Sequence, residues 1–532
     1  MIRVGGVRLP PGHPEDAPFL QALKLAGLTP RQVASWRVSR RSVDARDKAR
    51  VRLVYALDLE LRGNEEAFLS RVNRPGISRA ETPERLKVLA ADRPERPVVA
   101  GLGPCGLFLA LYLARAGRAP VVLERGLPVE RRARSVNRLM TAGELDLESN
   151  LLFGEGGAGT FSDGKLTTGI KDALCREVLE TLAEHGAPES VLYLQRPHVG
   201  TDILPKVVSS IRKEIERLGG QVLFGARMLR PVFDGGRLAG VHAVREGQRL
   251  EIPCGALALA IGHSARDTHR DMASLGLAVT AKPFSIGLRI EHPQTLVDRA
   301  QYGGFAGTEG LPPAEYHLAV RLRDGRGAYT FCMCPGGRVV PAAGEPGGVC
   351  VNGMSNSRRD GENANAALLV EVRPEDYGGD DHPLAGFDFQ RRHEEIAYEL
   401  GGGGFRAPFQ LAGDFLKGQK TSSLGGVKAT YRPGVTPADL SRALPAFAAE
   451  GVREAILQFD RRLKGFALPD AVLTGVETRS SCPVQVVRSA RFETSLPGVY
   501  AAGEGAGRAG GILSAAVDGL RCAMAMTRLS GV

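Results

Sequence analysis

Three glycines and one acid, Gly101, Gly103, Gly106 and Glu124, have the types and spacing of a cradle for a dinucleotide. Gly101 permits a tight turn, Gly103 lets backbone approach a pyrophosphate, and Gly106 lets a helix pack closely on a strand. The N-terminus of that helix offers free N–H groups and the positive end of its dipole to the phosphates. Glu124, roughly 20 residues on, is placed to accept ribose hydroxyls. Pro104 and Cys105 inside the turn, and Arg125 just after the acid, belong to the same candidate set.

A second group lies in Phe153-Gly-Glu-Gly-Gly-Ala-Gly-Thr-Phe-Ser-Asp-Gly-Lys165. It is too rich in glycine for helix or strand and too regular for a linker. Backbone lying against a flat ring or a phosphate would require such a loop, so Gly156, Gly157, Ala158, Gly159 and Thr160 join the cofactor set. Ser162, Asp163 and Lys165 could present polar groups to the same ligand. Gly262-His263 ends another apolar run, and His263 and Lys165 are the candidate proton donors. Arg289 or Arg479 could bind a substrate anion, and Cys482 could be a nucleophile, although no partner base is visible. Cys332-Met-Cys334 has no second Cys or His pair at zinc spacing, so no metal is expected and buried thiols are the plainer interpretation.

The elements that must position these groups follow from the pattern of apolar residues. Strands are expected at 98–100 and 121–123, with a helix at 107–116 between them that Gly117 stops. Further on, 201–218 reads as an amphipathic helix, 221–224 as a parallel strand, 228–233 and 237–245 as a hairpin turning at 234–236, and 256–261 as a buried strand. From about 282 the texture becomes antiparallel, with strands at 283–291, 316–322, 328–333, 349–353 and 368–372, an Asn-rich turn before the last, and helices at 389–400 and 444–459. The glycine run 401–404 lacks a preceding apolar strand and is not a second nucleotide turn. Residues 1–92 read as a small unit with strands at 2–9 and 50–61 and a helix at 17–26; a Pro-rich, charged join follows at 92–97.

With 532 residues the chain exceeds one ordinary core. No apolar signal core or membrane-length run is present, which points to the cytoplasm and to no membrane partner. Disulfides are not expected there. The net charge of +10 comes from arginines spread along the chain. Only 37–52 and 130–138 are dense, a pattern of solvated faces more than of a nucleic-acid site.

Together these blocks resemble flavoproteins of the glutathione-reductase-type Rossmann superfamily, in particular the bacterial FAD-dependent dehydrogenases or NAD(P)/FAD-dependent oxidoreductases. Further markers are Gly262-His-Ser-Ala-Arg-Asp267, Val351-Asn-Gly-Met-Ser-Asn356, Gly475-Val-Glu-Thr-Arg479 and Ala501-Ala-Gly-Glu504. The resemblance implies FAD, with Gly503 and Glu504 holding ribityl and pyrophosphate and Gly510, Gly511 and Ile512 near the flavin pyrimidine edge. It implies an α/β fold: a Rossmann-type domain over 93–281 and 470–532, a mostly antiparallel substrate domain inserted at 282–469, and the small α/β unit 1–92. The expected activity is hydride exchange between flavin N5 and a small-molecule substrate, with NAD(P)H as a transient electron donor or acceptor. Two alternatives stand beside it: RNA modification through a basic N-terminal unit (Arg37, Arg40, Arg41, Arg46, Arg50), and non-redox use of FAD. Substrate and oligomeric state are not readable from the sequence.

Overall fold

The computed structural model describes all residues except 73, 82–84, 87–95 and 528–532. The join expected at 92–97 and the boundary after residue 92 fall mostly outside the described residues.

Five short strands form an all-parallel sheet in the order Val499–Ala501, Leu257–Leu259, Val98–Ala100, Val121–Glu124, Gln221–Phe224. The three central strands are buried at every position, as expected where both faces of a parallel sheet are covered. Helices Pro104–Arg115, Leu204–Arg217 and Ile512–Thr527 cover one face through a cluster that includes Leu109, Val122, Val207, Ile211, Ala516 and Leu520. An antiparallel meander, Ala226–Asp234, Arg237–Arg245 and Gln248–Pro253, covers the other. Its first turn uses Gly235 and Gly236, both with positive φ, as a two-residue hairpin demands. Pro120 lies just before its strand, and its carbonyl accepts from Gln221 N at 2.9 Å.

Above this floor sits a seven-stranded sheet in the order Ala319–Arg321, Gly327–Cys334, Asn363–Val372, Phe284–Pro293, Val472–Glu477, Ala407–Leu411, Val435–Pro437. Every pairing is antiparallel except the last. Helix Ala446–Asp460 packs its Ala448, Val452, Ala455, Ile456 and Phe459 into the sheet's core. Two expectations change here. The Asn-rich stretch is strand from Asn363 onward, because buried Asn363 and Asn365 have charged partners: Asn363 Nδ2 donates to Glu291 Oε1 at 3.1 Å, and Asn365 Oδ1 accepts from Arg289 Nη1 at 2.7 Å. Strand Val472–Glu477, beyond the expected boundary at 469, is an interior strand of this same sheet. It is buried on both faces and so carries no alternation to assign it by.

The roof joins the floor through a two-stranded antiparallel ribbon, Val279–Ala281 with Val484–Val486. The N-terminal unit is a four-stranded antiparallel sheet, ordered Val33–Asp44, Arg52–Leu61, Ile2–Leu9, Ile77–Arg79, with helix Ala17–Ala26 against it. Residues 33–44 had no assigned element; they form an edge strand whose arginines obscure its periodicity. Two of those arginines, and Arg46 just beyond the strand, have partners within the protein. Arg37 pairs with buried Asp58 at 3.3 Å, Arg46 pairs with Asp44 at 2.7 Å, and Arg41 donates to Gly310 O at 2.7 Å.

Candidate cofactor and active site

The turn after Val98–Ala100 is built from atoms too close for side chains. Gly101 has φ +100°, and a Cβ there would lie 2.4 Å from the Ala260 carbonyl oxygen. A Cβ on Gly106 would lie 1.9 Å from Gly101 O, so Gly106 is a packing residue and does not line the cavity. Gly103 caps helix Pro104–Arg115 without a side-chain acceptor, and Pro104 occupies the first turn. The helix end is left open to an anion. A Cβ added at Gly103 would meet nothing closer than Gly157 Cα at 3.8 Å.

Glu124 is buried and already committed. Its Oε2 accepts from Leu102 N at 2.8 Å; its Oε1 accepts from Gly126 N at 2.8 Å and Gly154 N at 2.9 Å. It fixes three turns of the cradle, and a ribose hydroxyl would share what acceptor capacity remains. Arg125 lies over the Phe153 ring at 4.2 Å and pairs with Glu148 and Asp267.

The glycine loop folds back over this turn. A Cβ on Gly157 would come within 2.9 Å of Gly103 Cα, and one on Gly159 within 3.0 Å of Ile512. The loop thereby touches both helix N-termini of the floor. Gly157, Ala158, Gly159, Gly262, Glu504, Gly510, Gly511 and Ile512 line one cavity of about 320 Å³ with Gly101, Gly103, Pro104, Cys105, Glu124 and Arg125. Gly156, Thr160 and Gly503 stand behind its wall. Thr160 Oγ1 donates to Glu155 O at 2.9 Å, and a Cβ on Gly156 would strike that hydroxyl. Gly503 abuts Cys105, and its N–H donates to Asp518 Oδ2 at 2.7 Å. These three residues shape the cradle without facing the ligand space.

Both candidate proton donors reach the cavity. His263 Nδ1 is 3.1 Å from Glu504 Oε1, while buried Nε2 has no partner. The Lys165 ammonium sits 3.0 Å from Asp163 Oδ2. Burial disfavours its charge, but Asp163, together with Cys334, Cys332 and Glu315, raises its pKa on balance, so Lys165 is a fixed cation and not a proton donor near neutrality. Asp163 is fully buried and also holds Arg359 and Ser355, so it is not available to a ligand. Ser162 Oγ closes its own turn on Gly159 O at 2.7 Å.

The roof supplies Phe331, Cys332, Asn352, Arg479 and Ser480. The two arginines singled out from the sequence differ sharply. Arg289 donates to Glu477, Cys332 O, Asn365 and Asn352 through five hydrogen bonds, which uses all its N–H groups and leaves none for a substrate. Arg479 lines the cavity and donates to Glu394 through Nε and Nη2, at 2.9 and 2.8 Å, while its buried Nη1 is without a partner. Glu394 also binds Arg266 at 2.8 Å, and the two guanidiniums hold its carboxyl far below the usual range despite burial. Cys482 is buried against Phe387 and Val484, and burial pushes its thiol up to about 12, so it is not a nucleophile. Glu394 and Asp518 were missed from sequence: Glu394 lies in a helix with no motif around it, and Asp518 lies in the helix after Gly511, where only its N-terminal residues were singled out.

These residues fit FAD. A glycine turn on an uncapped helix, a second helix start at Ile512, and His263, whose buried Nε2 has no partner, line one cavity. Residues 283–480 match a family described as FAD-dependent protein, C-terminal domain-like, and residues 1–60 match a domain of unknown function. The cofactor is FAD, and the chain is a flavoprotein. An uncharacterized protein of Clostridium beijerinckii is 44% identical over 526 residues, covering 98% of each chain. Among solved structures, a glycine oxidase from Geobacillus kaustophilus is 11% identical, covering 82% of this chain and 95% of its own, with a TM-score of 0.36. A geranylgeranyl bacteriochlorophyll reductase-like protein from Thermoplasma acidophilum is 12% identical, covering 81% and 77%, with a TM-score of 0.35. Likenesses this distant decide nothing about chemistry. Among the described residues, no helix is long and apolar enough to cross a membrane.

Proposed function

This chain belongs to one family with the Clostridium beijerinckii protein, and from its cavity we propose that it is an FAD-dependent oxidoreductase acting on a small anionic molecule. The proposal includes the glutathione-reductase-type class and NAD(P)H as a transiently docking electron partner. One observation carries it: Arg479, whose buried Nη1 has no partner, is one of the roof residues lining the cavity whose floor is the FAD cradle. A buried donor left unmade costs about 1–3 kcal/mol, which an arriving carboxylate or phosphate oxygen would recover.

FAD supplies two-electron hydride exchange at N5. Gly103 and the start of helix Pro104–Arg115 would hold its phosphates, and Glu124 keeps the surrounding turns in place. Arg479 orients the substrate anion. His263 Nε2, steadied through Nδ1 by Glu504, moves a proton to or from the substrate or the ring edge. Lys165 holds a positive charge at the same wall. Of the five arginines that motivate the RNA alternative, Arg37, Arg41 and Arg46 have partners within the protein.

The test is the visible spectrum of the purified protein, followed by anaerobic bleaching. NADH or NADPH, or an anionic metabolite, should bleach the flavin bands, and the amide of an active carboxylate should bleach them far more slowly. A colourless protein that takes up no FAD defeats the proposal. A yellow protein that no donor reduces favours non-redox FAD.

A further inference from the structure

The paired strands Arg338–Pro341 and Val351–Met354 are joined by Ala342-Ala-Gly-Glu-Pro-Gly-Gly-Val-Cys350, in which Glu345 is the one charged residue. Ala342 N–H donates to Cys350 O at 2.7 Å and closes the base of this loop, and Val349 N–H donates to Glu394 O at 2.9 Å. Arg391 Nη2 donates to Pro346 O at 2.5 Å. The tip between these ties rests on Arg479. A Cβ added at Gly344 would lie 3.4 Å from Arg479 Nη1, 2.7 Å from Leu152 and 3.7 Å from Phe153, and the last two line the cavity. Nη1, against this tip, is shut off from solvent and has no hydrogen-bond partner.

Glu345 occupies part of what Glu394 leaves. Glu394 takes the Nε and Nη2 side of the guanidinium as a bidentate fork. The other fork is Nη1 with the second N–H of Nη2. Glu345 Oε2 holds only the Nη2 half of it, at 3.3 Å, just beyond the usual span of an N–H···O bond. The same oxygen lies 2.5 Å from Arg266 Nη1 and 3.7 Å from Arg391 Nη1. Three guanidiniums therefore converge on one oxygen of a carboxylate whose side chain is 28% exposed, whereas Glu394 is buried.

We propose that Glu345 and its loop are a displaceable cover on the anion fork of Arg479, and that a substrate carboxylate binds by replacing Glu345 there. The incoming anion takes Nη1 and Nη2 together, the loop tip lifts from Nη1, and Glu345 keeps Arg266, its shorter contact. The covered form has one long contact and one unmade donor; the bound form has a charged bidentate pair. Glu345 thereby sets a threshold for substrates. A planar carboxylate with two oxygens can fill the fork, and a neutral amide cannot compensate for the displaced charge. This inference deepens the proposed function and rests on its assignment of Arg479 to the substrate anion.

The probe is acetate, titrated calorimetrically into the full chain at constant ionic strength, with acetamide as the neutral control. Acetate should bind wild type weakly, and acetamide should give no heat of binding. Glu345→Gln removes the competing charge and keeps the side chain's shape, so it should tighten acetate binding about fivefold. Arg479→Met should abolish it. Acetate binding unchanged or weaker in Glu345→Gln but lost in Arg479→Met overturns the cover and leaves Arg479 as the anion site. Binding that survives Arg479→Met, or no binding in either wild type or Glu345→Gln, overturns both. Should Glu345→Gln fail to fold, hydrogen exchange of the wild type decides. Acetate, and not acetamide, should then speed exchange of the segment 342–349 at least about twofold, and unchanged exchange overturns the cover. Running each titration with and without added FAD separates the claims further, since a protein that never takes up FAD refutes the flavoprotein while the acetate result stands.

Discussion

At the scale of single residues, the cradle separates two kinds of glycine. Gly103 has φ −70° and room for a methyl within the protein, whereas Gly106 has none. Gly103→Ala should therefore fold with a melting temperature near wild type and lose FAD affinity by about tenfold or more, because the methyl occupies phosphate space. Gly106→Ala should fail earlier, with the apoprotein itself destabilised by several kcal/mol or so, because the clash is with backbone. Equilibrium FAD titration beside thermal melting distinguishes the two, and equal loss of stability in both would contradict the assignment. Gly101, Gly103 and Gly106 could be read from sequence because their chemistry is local, each acting within about one turn of the next, whereas the bond of Glu124 to Gly154 N exists only in the fold. The roles of Asp163 and Arg479 could not be so read. Asp163 meets Arg359, and Arg479 meets Glu394, only after the chain has folded across long separations.

Among elements, one junction between roof and floor is a buried ion cluster. Arg266, at the start of floor helix Arg266–Ser274, shares the Glu394 carboxylate of roof helix Ala385–Gly401 with Arg479. Glu394→Gln leaves two buried guanidiniums short of charge and should cost about 3–5 kcal/mol. The pH dependence has a definite sign. The folded-state pKa of Glu394 is depressed, so its stabilisation is present above the unfolded value near ~4.3 and is lost as pH falls toward the folded one. Asp163 acts in the same direction, while Glu291 and Glu477, raised by burial, act in the opposite one. Urea melts from pH 7 to pH 3 should show the gap between wild type and Glu394→Gln narrowing with acid; a constant gap would remove the ionic explanation. The elements hardest to infer from sequence were those where charge masks periodicity. The arginine-rich edge strand Val33–Asp44 and the asparagines that open Asn363–Val372 were both obscured, since hydropathy cannot anticipate a buried charged partner.

For the whole molecule, the cavity has a floor from one sheet and a roof from another, so a ligand there should restrain both. Hydrogen exchange on FAD addition should slow in 101–106 and 154–160 of the floor, and also in strands Gly327–Cys334 and Val351–Met354 of the roof. Protection confined to the floor would mean that the roof does not close over the cofactor.

The ribbon of Val279–Ala281 and Val484–Val486 has a consequence for how such a molecule can vary. The chain leaves the floor and returns to it on two strands hydrogen-bonded to each other, Val279 opposite Val486 and Ala281 opposite Val484. Everything between them is a cassette whose two ends meet. A different roof, longer or shorter, could be spliced at this clasp without shifting a strand of the parallel sheet. The nucleotide cradle and the choice of substrate are thus free to diverge at different rates.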